Sequence, residues 1–517
     1  MRFDRESGKV LVDGAVRPAC NDGAMAAGGI LYLGPWQCDC NLSLIGCVAK
    51  CSAGDYQFGQ QADADRRLEL GSGNVTEVET LDTSPDDWPT YRGNNQRSAS
   101  TNAVVASGPD VSRRWHYKPD REYVPTAPTY AGGLVFVGGN DGKVRALDTK
   151  KRELRWQYRT PAPIKYPPTI WEGRAYVGCC DGYVYALEAA SGRLLWRFRA
   201  APEERLIMVY GNLTSTWPVA SGVLVHDGIA YFAAGIIDSD GTHVYALDAK
   251  TGKLRWQNNT SGHLDAELRK GVSVQGNLAI YGDRLVLAAG NQVSPAEFDL
   301  ETGKYLTPSA ELGRPRAPAG RFVGVLNDKT VIAGGRVLYS SPKNVANRGS
   351  FSTYSGKDDW RLNWGAVPPT WNQETVAWVN NRYSTLTCFD APSVAKRIDE
   401  GYHEDDKNSW WRRTLSGALE LDRAVRWETS LGDNTRLEVL SLAVTSNAIV
   451  VVAKQQSRHR TKEQWIAGAV NVENKERIFV RELFTEPLLD GMLVDDRGEV
   501  VITMIDGGVL CVGPSEG

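Results

Sequence analysis

Three segments of the chain can be laid beneath one another: GGLVFVGGNDGKVRALDTKKRELRW ending at Trp156, EGRAYVGCCDGYVYALEAASGRLLW ending at Trp196, and DGIAYFAAGIIDSDGTHVYALDAKTGKLRW ending at Trp256. Each reads as an apolar strand, an Asp-Gly turn, a second apolar strand closed by Asp or Glu, another turn, and a strand carrying Trp. A fourth copy, YGDRLVLAAGNQVSPAEFDLETGKYL, ends at Leu306 without the Trp. The spacing is 40 residues from Trp156 to Trp196 and 60 from Trp196 to Trp256. Periods of this size indicate propeller blades or solenoid units.

Strand chemistry selects between them. In Val184-Tyr185-Ala186-Leu187 both alternating faces are apolar, so the strand must be covered on both sides, and stacking one unit on the next does that. An Asp-Gly step between apolar runs supplies the positive φ of a tight hairpin turn. A Trp on the last strand, able to bury on the order of 150–250 Å², would wedge against the neighbouring unit and set its angle. The repeat therefore predicts an all-β fold, a β-propeller of four-stranded antiparallel blades.

Residues 126–306 hold four regular blades. Irregular blades with inserts follow in 320–482, among them 366–429, ending in ALELDRAVRW with Trp427, and 437–482, containing AVNVENKERIFV. Residues 488–512 read as a last blade with only three strands. Residues 1–12, with RFDRESGKV, match the last-strand portion of the repeat and are expected to complete that blade, which removes an exposed edge. Residues 18–50 plus 110–117 are expected as a split blade around Trp115, with 52–109 an insertion hugging the surface. This gives eight blades in a single domain, 1–517; residues 320–365 would make nine but lack the Asp-Gly turn.

Composition fits such a fold and narrows the partners. Gly 52, Pro 24 and 42% hydrophobic residues describe a turn-rich chain with apolar mass for a large core. The formal charge of −3 is interspersed, so there is no basic field for nucleic acid. No apolar run approaches the roughly 18 residues of a spanning helix, and MRFDRESGKV lacks the basic and apolar regions of a signal peptide. Because the chain opens inside a repeat, a truncated reading frame and one part of a longer polypeptide both stay open.

Several residues carry candidate chemistry. Aromatic-Pro or apolar-Pro steps recur where innermost strands begin, at Val124-Pro125, Tyr166-Pro167, Trp217-Pro218 and Val367-Pro368. Tyr166 and Trp217 are thus candidate stacking surfaces around a channel mouth, the face on which long connections such as 200–216 and 257–271 emerge. Arg348, Trp360, Arg361, Trp364, Trp371 and Arg382 supply flat and cationic groups suited to sugar rings or anionic polymers. His263 near Asp265 in a mouth loop is the candidate acid or base. Of nine cysteines, five lie in the first 51 residues; Cys20, Cys38 and Cys40 suit a disulfide with a spare thiol or a soft-metal site.

The ALD-x-x-T-G-K-x-x-W pattern at Ala246, Leu247, Asp248, Thr251, Gly252, Lys253 and Trp256 resembles the repeat of quinoprotein-type propellers. That family includes the pyrroloquinoline quinone (PQQ) dependent alcohol dehydrogenases and the non-catalytic outer-membrane assembly lipoprotein. DWPTYRGNNQRSAST and GPWQCDCNLSLIG are similar to stretches of the PQQ-like-repeat proteins of environmental bacteria. In the dehydrogenases a disulfide between adjacent cysteines covers one face of the quinone, and Cys179, Cys180 and Asp181 match that Cys-Cys-Asp string. The resemblance implies PQQ with Ca²⁺ as cofactor, Cys179 and Cys180 as its plate, Tyr166 or Trp217 opposite, and a periplasmic or cell-envelope location. No stretch supplies Ca²⁺ ligands or a base, and no CxxCH haem motif is present.

Whether the chain is an enzyme therefore stays open, and three functions remain. An extracytoplasmic binding or scaffold propeller, with a ligand site at the loop-decorated mouth, needs only the fold. A PQQ-dependent alcohol or sugar dehydrogenase would use the cysteine plate. A polysaccharide lyase or other carbohydrate-active propeller would use the Trp and Arg stretch. The corresponding partners are an envelope protein, a small planar cofactor and a polysaccharide.

Overall fold

The computed structural model describes residues 2–3, 6, 8, 10–11, 24–36, 46–50, 66–108, 110–209, 211–236, 241–264, 271–289, 293, 295–307, 322–327, 330–334, 351–354, 359–362, 367–380, 384–400, 421–432, 435–457 and 463–515. Strands dominate, and one α-helix, Ala391–Glu400, sits in an insert. Among the described residues, antiparallel sheets follow one another along the chain: sheet 1 (129–159), sheet 2 (169–199), sheet 3 (223–258), three-stranded sheet 4 (278–299), sheet 5 (322–362), sheet 6 (370–430), sheet 7 (435–483) and sheet 8 (487–514).

Each sheet packs on the next through its own apolar cluster. Cys179, Tyr185 and Phe136 join sheets 1 and 2; Trp196, Phe198 and Phe232 join sheets 2 and 3. The cluster of sheet 8 reaches in both directions, to Val450 and Val452 of sheet 7 and to Val135 and Val137 of sheet 1.

The Trp of the repeat is tied to the following sheet by a polar anchor. Trp156, Trp196, Trp256 and Trp427 each donate the indole N–H to a turn carbonyl of the following sheet, on Ala189, Ala249, Leu300 and Val472, at 2.9, 3.2, 3.1 and 2.8 Å. A positive φ closes the accepting turn: Gly192 and Gly252 adopt 77° and 72°, and a Cβ there would come within 2.6 and 2.8 Å of Trp156 and Trp196. Within each sheet a small residue faces the Trp across the ladder. Ala146, Ala186 and Ala246 oppose Trp156, Trp196 and Trp256, and Cys388 and Cys511 fill the same slot against Trp427 and Trp115.

Four expectations are corrected. Sheet 8 is completed by Val111–Tyr117, and Arg2–Phe3 pairs with Val10–Leu11, so residues 1–12 are not its closing strand. The 18–50 segment is not a split blade with 110–117: Ala24–Ala27, Ile30–Trp36 and Gly46–Lys50 pair with Leu206–Val209 and Asn212–Ser215 in a separate five-stranded side sheet. Within 320–365, set aside for want of an Asp-Gly turn, Phe322–Asn327, Thr330–Gly334, Phe351–Tyr354 and Asp359–Leu362 form sheet 5. Residues 52–109 do not simply hug the surface. Leu68–Leu70 adds a fifth strand to sheet 2, anchored by Arg67, which is 1% exposed.

The largest departure is the plug, residues 86–103, which crosses the first strands of all eight sheets. Trp88 exchanges main-chain bonds with Tyr130 of sheet 1, and the Pro89 carbonyl accepts from Ile170 of sheet 2. Asn95 donates its side-chain amide to Val225 of sheet 3 and accepts from the Ile280 N–H of sheet 4. The carbonyls of Gln96, Ser98 and Ala99 accept from Val325, Trp371 and Val444 of sheets 5, 6 and 7. Arg92 reaches Asp490 of sheet 8. Satisfying edge groups of eight sheets in turn forces tight reversals, and Arg92, Arg97 and Ala99 adopt φ of 55°, 63° and 55°.

Candidate functional site

In a four-stranded up-and-down sheet, the turn between strands two and three and the connection into the next sheet leave from the same end. That end is the mouth face. The plug contacts Ile170, Ile280, Trp371 and Val444 late in the first strands, toward the opposite end. Some of its side chains point back. Arg97 donates Nε–H to the carbonyl of Leu278, the residue that opens its strand, at 2.7 Å.

Five residues meet around this point. Tyr91 and Tyr166 stand edge to face, with ring centroids 5.2 Å apart and planes at 84°. The Tyr91 hydroxyl donates to Asp490 Oδ2 at 2.6 Å, and Arg92 Nη1 donates to Asp490 Oδ1 at 2.6 Å. Burial, then the Asp490 charge, hold the Tyr91 phenol well above its usual range. Arg97 is 2% exposed, and burial lowers its guanidinium to about 10.

The expected residues are distributed as follows. Tyr166 is half-buried against Tyr91. Trp217 is fully buried in the cluster between sheets 2 and 3, with the Arg205 guanidinium 4.5 Å from its ring. Cys179 and Cys180 are free thiols buried in the cluster between sheets 1 and 2; Cys179 Sγ–H donates to the Ala162 carbonyl at 3.2 Å, and burial raises both thiols. Asp181 accepts from the Tyr185 hydroxyl at 2.5 Å and the Tyr183 N–H at 2.9 Å, and burial lifts its carboxyl. The Cys-Cys-Asp string thus sits in the turn between strands two and three of sheet 2, its side chains turned inward.

Trp371 is buried and donates its indole N–H to Val325 of sheet 5 at 2.9 Å, a packing role. Trp360 and Arg361 lie in the Asp359–Leu362 strand of sheet 5. Arg348, Trp364, Arg382, Asp265, Cys20, Cys38 and Cys40 fall outside the described residues, and His263 ends the short 3₁₀ turn Ser261–His263. Among the described residues no cluster of His, Cys, Asp or Glu has metal-holding geometry. No helix among them is long and apolar enough to cross a membrane.

Sequence reasoning missed Tyr91, Arg92, Arg97 and Asp490. The signal available was two Arg and a Tyr inside the quoted string YRGNNQR, within a Gly- and Asn-rich stretch that has no strand period. Nothing local marks Asp490, which acquires its place by a φ of 55° at a bulge in the first strand of sheet 8.

Similarity to known proteins follows the fold. The family model described as outer membrane protein assembly factor BamB matches residues 100–336 and, in an overlapping alignment, 172–396. No curated protein sequence matches the chain. Among solved structures the chain is similar to the quinohemoprotein alcohol dehydrogenase of Comamonas testosteroni, at 12% identity over 86% of this chain and 83% of that one, with a TM-score of 0.50. It is also similar to the quinohemoprotein alcohol dehydrogenase ADHIIG of Pseudomonas putida HK5 (13% identity, 84% and 81% covered, TM-score 0.49) and to BamB of Moraxella catarrhalis (13%, 78% and 99%, TM-score 0.36). Identity this low speaks for fold and not for activity. With a Trp-anchored repeat running from sheet to sheet and a family match across more than half of its length, the chain belongs to the PQQ-like repeat propellers described by the BamB assembly-factor model.

Proposed function

We propose that the chain is a binding or scaffold propeller of the cell envelope, with eight blades closed by Val111–Tyr117, and that it works through its mouth face. The two-way cluster of sheet 8 and the plug's contacts with all eight sheets support the closed ring. The family's envelope members support the location.

The observation that carries the reading is the side sheet. It grows from the connection between sheets 2 and 3, on the mouth side, and its register aligns one row: Met25 opposite Tyr32, Tyr32 opposite Ala49, Ala49 opposite Met208, Met208 opposite Leu213. Met25, Tyr32, Met208 and Leu213 are 63, 40, 41 and 50% exposed. Leu33 and Ile207, pointing to the other face, are buried. An aligned apolar row across five strands is a recognition surface rather than scattered exposure. Its edge strand, Ala24-Met25-Ala26-Ala27, is exposed and carries no charge or Pro to repel another strand. The partner that fits is an envelope protein offering an extended segment with alternate apolar side chains.

Photo-crosslinkers placed at Met208 and Leu213 should capture the same protein, and one at Val104, exposed on the opposite side, should not. Absence of an adduct at both side-sheet positions, or the same adduct from all three, defeats the reading. Incubation with PQQ and Ca²⁺ should give no dye-linked alcohol oxidation; turnover would transfer the assignment to a dehydrogenase, and cofactor-free release of unsaturated sugars would transfer it to a lyase.

A further inference from the structure

Among the described residues Arg97 is a buried cation without a counter-ion. It is 2% exposed, and its main chain is fixed within the plug. Nε–H donates to the Leu278 carbonyl at 2.7 Å, and Nη1 donates to Thr90 Oγ1 at 2.8 Å and to the carbonyls of Tyr91 and Asn94 at 3.0 and 3.3 Å. All of these acceptors are neutral. Nη2 makes no hydrogen bond among the described residues, and it is not one of the solvent-excluded nitrogens that lack a partner, so the little surface Arg97 keeps includes it.

The one carboxylate at this site is already engaged. Asp490 is held by Arg92 Nη1 and by the Tyr91 hydroxyl, both at 2.6 Å. The Arg92–Asp490 pair is neutral, which leaves one net positive charge beside Tyr91 and Tyr166. The ionisable groups that most favour its charged form are Tyr91 and Tyr166, and burial holds the Tyr91 phenol well above its usual range. Buried charges in folded proteins are paired or meet a ligand, because desolvation without a partner is costly. Arg97 has the rigidity of a prepared site, since two of its three nitrogens, Nε and Nη1, are anchored and the two N–H groups of Nη2 remain to be used.

We infer that Arg97 and the rings of Tyr91 and Tyr166 form a binding site for a small organic monocarboxylate beside the openings of the first strands of sheets 2 and 4. One uncompensated positive charge matches one carboxylate. A phosphate dianion would bring a second negative charge toward Asp490, whereas the two aromatic rings suit an organic body behind the carboxylate. The site lies apart from the side sheet and does not depend on the partner assigned to that surface.

Benzoate is the probe. Calorimetric titration of the full chain at fixed ionic strength should show saturable one-to-one binding. Arg97→Gln should weaken it at least 10-fold, the loss of a charge-assisted bond. Should that variant not fold, Tyr166→Ala decides: it leaves the Arg97 anchors on Leu278, Thr90, Tyr91 and Asn94 in place and should weaken benzoate several-fold in protein whose folded state is verified by circular dichroism. Inorganic phosphate should compete poorly. No saturable binding, unchanged affinity in the folded variants, or phosphate binding more tightly than benzoate would each overturn the assignment.

Discussion

Arg92 and Asp490 meet at 2.6 Å across 398 positions of chain, and they tie the plug to the first strand of sheet 8. The Arg92 side chain is 2% exposed and that of Asp490 15%, so neither charge has much water to fall back on. Asp490→Ala leaves a buried guanidinium facing its neighbours alone and should cost about 3–5 kcal/mol. Arg92→Ala removes further bonds, from Nε to the Arg97 carbonyl and from Nη2 to that of Pro369. The double variant should lose less than the sum of the two, because each single change already forfeits the shared pair. Urea midpoints of the three variants check this; strict additivity would mean the pair is not coupled.

The slot opposite each Trp tolerates a side chain of one or two heavy atoms. Ala146, Ala186 and Ala246 occupy it in sheets 1 to 3, Cys388 in sheet 6. Cys388→Ala should therefore cost no more than about 1.5 kcal/mol, in the range of a well-accommodated core change. Ala186→Leu must displace Trp196, which is fully buried and bonded to Ala249, and should cost about 1–3 kcal/mol or more. Chemical denaturation of the two variants reads both values. Equal costs would show that the slot imposes no size limit.

What was legible in the sequence was what local chemistry encodes. The Asp-Gly turns, the Ala-Leu-Asp strand ends and the Trp recur because each sheet solves the same packing problem, and repetition exposes them. The strand that completes sheet 8 was not legible because RFDRESGKV and DVSRRWHY both look like a last strand, and only the geometry of the plug, which delivers residue 111 beside sheet 8, selects the second. The plug itself has no period to detect. Its order comes from eight different sheets, each holding one or two of its backbone groups, so its residues read as an ordinary polar loop. Tyr166 was singled out from its place before Pro167; Arg97 and Asp490 were not, since their positions depend on those distant contacts.

Asp87 should make stability fall as pH rises through the mildly acidic range. It is 9% exposed; Oδ2 accepts from the Ser84 and Gly132 N–H groups, while Oδ1 has no partner. Burial pushes its carboxyl up to about 6, against the two backbone donors and with the help of the Asp496 and Asp495 charges. The folded value lies above the unfolded value of roughly 3.9, so the folded state holds the extra proton between them. This group's contribution is therefore full below about pH 4, is lost as pH climbs to about 6, and is constant above that. Asp87→Asn should remove that slope, a change of about 1–3 kcal/mol between pH 4.5 and 7. Melting temperatures of the two proteins across this range decide it, and parallel curves would count against the buried proton.

The four free cysteines of the described residues, Cys179, Cys180, Cys388 and Cys511, are all buried. Burial raises each thiol, Cys388 to about 11, and no cationic group offsets it at Cys179. The attacking species in thiol chemistry is the thiolate, so both its scarcity and its inaccessibility should slow reaction. In the folded protein a thiol reagent at pH 8 should leave these four unmodified for hours, and in denaturant all four should react within minutes. Peptide mass mapping of the labelled sites distinguishes them from the N-terminal cysteines. Rapid native labelling at Cys179 or Cys180 would mean that the turn of sheet 2 opens toward the mouth, which would return those two residues to consideration as ligand contacts.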